Sequence, residues 1–135
     1  LVEVGTAWVI SWIEPSAGNV VVISELALVE FQSLLARQVR GGVLTAAAGD
    51  KLRSDFLIHY RDDYLVVHLD TLIAQSAGEL VRKHKLRSLD AIQLASALRA
   101  QELLAEPMEL VSGDENLLAA ASAEDFITAA PHKHP

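Results

Sequence analysis

The chain has 135 residues, 51% of them hydrophobic and 21% charged, with a mean hydropathy of +0.28. That is enough for one domain with its own core, and it excludes a disordered or collagen-like chain. There is no Cys, which removes disulfide scaffolds, Cys-based zinc sites and thiol chemistry. The net charge is −7, which argues against holding nucleic acid by bulk charge alone.

In chain order, Gly5 to Ile13 reads as a helix, with Trp8 and Trp12 four apart on one face, stopped by Pro15 and Gly18. Asn19 to Ile23 is a continuous β-branched run, the pattern of a strand buried on both faces. Ser24 can cap a helix that runs to Arg40 and stops at Gly41-Gly42, with Arg37 and Arg40 in its last turn. A second helix is expected from Thr45 to Asp62, a strand from Tyr64 to Leu69, and a helix from Asp70 to His84. A long apolar helix follows from Ser88 to Glu106, ended by Pro107. Met108 to Val111 reads as a strand, Gly113 to Ala121 as a short helix and Phe126 to Thr128 as a last strand. The order implies an α/β domain with a short, mainly parallel sheet, whose chemistry belongs at the strands' C-terminal ends. The whole of 1–135 is expected to form one domain, with 130–135 a flexible tail. The uncharged run Thr6 to Ile13 is too short to span a bilayer, and no basic segment followed by an apolar core opens the chain. The expectation is a soluble, cytoplasmic protein with no membrane partner.

Three acids stand apart from those at helix ends and polar faces. Glu30 lies in the apolar stripe Leu26-Ala27-Leu28-Val29-Glu30-Phe31, where a carboxylate must be paired, protonated or bound to a cation. Asp90 opens the most apolar helix, as a first-turn acid or as a ligand. Asp114 follows a strand and starts a helix, as a cap or as a site residue. Glu25 is easily satisfied in the first turn of its helix. Carboxylates converging on one crevice would suit Mg²⁺ or Mn²⁺, which prefer oxygen ligands and assist displacement at phosphorus. Arg82 to Arg87 holds four of the eleven Lys and Arg residues just before Asp90. Lys83, Lys85 and Arg87 are candidates for a positive rim that guides RNA phosphates, or for a solvated helix terminus. His132 and His134 are expected in the tail, and His59 and His68 in partly buried packing. Trp8, Trp12, Leu34, Leu35 and Val39 supply excess apolar surface.

Three strings carry a resemblance: Val22-Ile-Ser-Glu-Leu-Ala-Leu-Val-Glu30-Phe, Leu86-Arg-Ser-Leu-Asp90-Ala-Ile-Gln-Leu-Ala-Ser-Ala97 and Leu110-Val-Ser-Gly-Asp114-Glu-Asn-Leu-Leu. In this order and spacing the chain resembles the PIN domain, and more closely the VapC-type toxins of toxin–antitoxin pairs. The resemblance covers essentially the whole chain. It implies a three-layer α/β/α fold and a metal-dependent endoribonuclease, with Glu30, Asp90 and Asp114 as catalytic and metal-binding residues and Mg²⁺ or Mn²⁺ as cofactor. The implied partners are an RNA substrate, a VapB-like antitoxin and a second copy in a homodimer. The family opens with a strand ending in a metal-binding Asp, and no residue here matches it. With Leu1 rather than Met first, the expectation is a domain lacking its first strand. If so, the alternative function is a truncated or degenerate module that binds protein or RNA without cutting.

Overall fold

A computed structural model describes residues 18–133. The expected helix over Gly5 to Ile13 lies outside this range. The described elements are β1 (Val22–Ser24), α1 (Leu26–Arg40), α2 (Ala46–Asp62), β2 (Leu65–Val67), α3 (Thr71–Lys83), α4 (Ser88–Leu104), β3 (Glu109–Val111), α5 (Glu115–Ala123) and β4 (Ile127–Ala129). A 3-10 turn spans Pro131–Lys133.

The helices start where local chemistry caps them. Thr45 accepts a hydrogen bond from the Ala48 N–H, and Asp70 accepts one from Ile73 N–H. Ser24 Oγ accepts from Leu26 N–H at 3.2 Å ahead of α1. Gly42, at φ +77°, turns the chain from α1 toward α2 through backbone that an L side chain rarely adopts. Ala105 takes the left-handed conformation at the end of α4, two residues before Pro107.

All strand pairing among the described residues is parallel, as helical crossovers require. Val22 lies opposite Leu65 and Ser24 opposite Val67 in the β1–β2 pair; Glu109 lies opposite Ile127 and Val111 opposite Ala129 in the β3–β4 pair. Each strand is three residues long, and β1, β2 and β3 are shorter than the runs expected for them. Val20, inside the expected first strand, is 69% exposed, and the Leu65 N–H to Val21 carbonyl bond carries the pairing one step beyond β1 toward it. Strand length is set by the partner's reach, which a run of β-branched residues does not encode. Among the described residues the two pairs do not join into one sheet. Between β1 and β3 lies a groove of about 810 Å³, lined by Val20, Val22, Ala97, Leu110, Phe126 and Ile127 among others.

The core joins α3, α4 and α5. Ile73, Ala77 and Leu80 at helical spacing meet Ala91, Leu94 and Ala95 of α4 and Leu117, Ala120 and Ala121 of α5, with Phe126 closing one side. Alanines at these positions let the helices approach closely. The α1–α2 hairpin packs apart from this core through Phe31 and Phe56, whose ring centroids are 4.4 Å apart. Ala130 is buried and Pro131–Lys133 takes its 3-10 turn against α5, with His132 Nε2 3.4 Å from Glu115 Oε1. Within the turn Pro131 is half-buried, and His132 and Lys133 are exposed.

Candidate active site at the strand ends

β3 ends at Val111, and Ser112-Gly113 carries the chain to Asp114, the N-cap of α5. The Asp114 N–H donates to Ser112 Oγ at 3.0 Å, which fixes the turn. Asp114 Oδ1 accepts from Leu117 N–H at 3.0 Å and is used in capping, leaving Oδ2 for other partners. Asp90 stands in the first turn of α4, its side chain only 17% exposed. Glu30 projects from α1, and Gln93 of α4 donates to its Oε1 at 2.8 Å. Gln93 lies one turn after Asp90, on the same helix face.

Asp90 feels all of these groups. Burial pushes its carboxyl above the usual carboxylate range, and the negative charge of Asp114 pushes it further; Arg87 opposes the rise and Glu30 adds to it. Arg87 bridges the two aspartates, with Nε 3.8 Å from Asp90 Oδ2 and Nη2 3.6 Å from Asp114 Oδ2. Glu30, Asp90 and Asp114 therefore share one electrostatic neighbourhood, at the C-terminal side of β3 and the N-terminus of α4. Among the described residues, however, no three His, Asp or Glu side chains are gathered tightly enough to form a ready-made metal cage. The donor set is carboxylate oxygen throughout, which suits a hard divalent ion, and the crowding of negative charge at Asp90 is what such an ion would relieve. The residues fit the group in chemistry and sign.

The expected basic rim divides three ways. Lys83 Nζ is held by Glu124 Oε1 at 2.8 Å, and His84 Nε2 lies 3.1 Å from the same oxygen. Lys83 thus ties the end of α3 to the end of α5. Lys85 is exposed, and Arg87 leans over the acids. His68 departs from the expected partial burial: its side chain is 77% exposed and its Nδ1 lies 2.9 Å from Glu25 Oε2. Glu25 also accepts from Leu69 N–H, so this acid joins the ends of β1 and β2 and stands apart from Asp90. Sequence reasoning missed Gln93 as the partner of Glu30. Its place three residues after Asp90 was the available signal.

An α/β chain with parallel strands and acids gathered around the end of one strand and the starts of the helices beside it belongs among the folds that place chemistry at the edge of an open sheet. The PIN domain family model matches residues 3–123, and the chain belongs to that family. PIN domains are generally nucleases that use divalent metal ions. No curated protein and no solved structure matches the chain significantly. No described helix is long and apolar enough to cross a membrane.

Proposed function

We propose that this PIN domain is a VapC-like endoribonuclease that hydrolyses RNA phosphodiester bonds with Mg²⁺ or Mn²⁺, under the control of a VapB-like antitoxin. The observation that carries the reading is the convergence of Asp90 and Asp114 on Arg87, 3.8 and 3.6 Å away, with Glu30 tied to the Asp90 helix through Gln93. Asp90 and Asp114 Oδ2 would hold the ion, with Glu30 oriented by Gln93. A bound divalent ion supplies Lewis acidity to a phosphoryl oxygen and lowers the pKa of water. The chain's own contribution is orientation. Capping by Asp114 fixes one carboxylate, helix α4 fixes another, and Lys85 and Arg87 offer positive charge to the RNA backbone beside them.

Partner binding is part of the proposal. Val29 on α1 and Ile58 on α2 are 65% and 49% exposed, which supports a second copy or an antitoxin covering the α1–α2 hairpin. A second reading, a module that binds without cutting, is favoured by one observation: Arg87 already occupies the space between Asp90 and Asp114.

Mg²⁺-dependent cleavage of single-stranded RNA by the full chain tests the two. The expected result is cleavage that EDTA abolishes and Asp90→Asn lowers roughly 100-fold or more. RNA binding without cleavage would decide for the second reading.

A further inference from the structure

The geometry points to Arg87 as an internal counter-cation: it holds Asp90 and Asp114 together in the metal-free protein, yields both carboxylates to a divalent ion, and is thereby freed for an RNA phosphate. This inference rests on the proposed nuclease reading and adds to it a residue that sets metal affinity and couples it to RNA binding.

The placement begins with the backbone. Arg87 is the residue before α4, extended at φ −79° and ψ 162°, and its side chain makes no capping bond. The guanidinium is therefore free to reach forward to Asp90 on its own helix and across to Asp114 at the start of α5. Two helix N-termini meet there, each with an acid, and the two acids repel each other. A positive group near both is favoured whenever no cation is bound.

The contact is loose. At 3.6 and 3.8 Å the nitrogens are well outside charge-assisted hydrogen-bond length, about 2.7–2.9 Å, and the side chain is 85% exposed. A structural Arg bridge in the same molecule looks different. Arg99 donates to both oxygens of Asp70 at 3.0 and 2.8 Å, and its side chain is 32% exposed. Arg99 is locked, whereas Arg87 neutralises charge without being held. The oxygens it faces are Oδ2 of each aspartate, and Asp114 Oδ1 is already committed to the cap. Arg87 and a divalent ion would thus compete for the same pair of atoms. The ion wins when present, because it carries twice the charge and binds carboxylate oxygen at about 2.0–2.1 Å. The displaced guanidinium, still tethered one residue before α4 and beside exposed Lys85, has the fork geometry for a phosphate.

The test uses the full chain and Mn²⁺ alone, with affinity read by isothermal titration, for the wild type, Arg87→Gln and Arg87→Lys. Because exposed ion pairs are weak, the expected gain is modest: Arg87→Gln binds Mn²⁺ about 3- to 10-fold more tightly, and Arg87→Lys stays within about 2-fold of the wild type. A second readout is binding of a cleavage-resistant phosphorothioate RNA by fluorescence anisotropy. There Arg87→Gln weakens binding about 5-fold with Mn²⁺ and less than about 2-fold in EDTA. Unchanged or weaker Mn²⁺ binding in Arg87→Gln overturns the competition. An equal loss of RNA affinity with and without Mn²⁺ overturns the release. If neither the wild type nor the variants bind Mn²⁺, the metal-dependent reading of the site falls, and this inference with it.

Discussion

Asp114 does two jobs, and substitution can separate them. Its Oδ1 caps α5 while its negative charge raises the Asp90 carboxyl. Asn keeps a capping oxygen and removes the charge; Ala removes both. Asp114→Ala is expected to lower stability by about 1 kcal/mol in urea unfolding, and Asp114→Asn by no more than a few tenths. Both are expected to abolish metal-dependent cleavage. If Asp114→Asn cleaved normally, the charge would have no part in the chemistry. Asp90 carries the opposite balance. It is a mostly buried carboxylate beside two others, so in the metal-free protein its charge opposes folding. Asp90→Asn is expected to raise the metal-free Tm and to lose the further rise expected of the wild type with Mn²⁺. A lower metal-free Tm would show that Arg87 already compensates Asp90 in full. Glu30 was legible in the sequence as a carboxylate inside an apolar stripe, and Asp90 and Asp114 as acids at helix starts, because both are local patterns. Their partners were not. Gln93 reaches Glu30 across 63 residues, and His68 reaches Glu25 across 43, distances at which only the fold decides what meets.

Helices were the most legible elements, since Thr45, Asp70 and the pair Gly41-Gly42 signal their own ends. Strands were the least, because three-residue pairings depend on how far the partner extends. One element contact depends on a missing side chain. Gly49 is buried inside α2, and a Cβ there would lie 2.8 Å from Val39 Cγ2 on α1. Glycine inside a helix costs about 1 kcal/mol relative to alanine, so Ala would be favoured on propensity alone. Val39 is β-branched and stiff, however, and overpacking of this kind costs about 1–3 kcal/mol. Gly49→Ala is therefore expected to destabilise the chain by about 1 kcal/mol in urea unfolding. The double variant Gly49→Ala with Val39→Ala, which opens the space, is expected to show coupling between the two sites. Stabilisation by Gly49→Ala alone would mean that the hairpin can spread at no cost.

Across the whole molecule, the α3–α4–α5 core is clipped at both ends of α3 by carboxylates. At the start, Asp70 caps Ile73 and receives Arg99 from α4; at the end, Lys83 and His84 converge on Glu124 after α5. Both carboxyls are held below their usual range. For Asp70 the leading cause is the Ile73 N–H, joined by Arg99; for Glu124 it is the Lys83 ammonium, joined by His84. A carboxyl depressed in the folded state adds stability above its unfolded pKa, and that contribution fades as pH falls through the folded value. Acid should thus loosen α3 first at its ends. The urea midpoint is expected to fall between about pH 5 and about pH 2, and Asp70→Asn with Glu124→Gln to flatten that fall. The double variant should be the weaker protein at neutral pH and should converge on the wild type near the acid end. Asn at position 70 keeps the capping oxygen, so the flattening reports lost charge and not a lost cap. Curves that stay parallel over the whole range would place the acid sensitivity elsewhere, away from the two clips that fasten α3 to its neighbours.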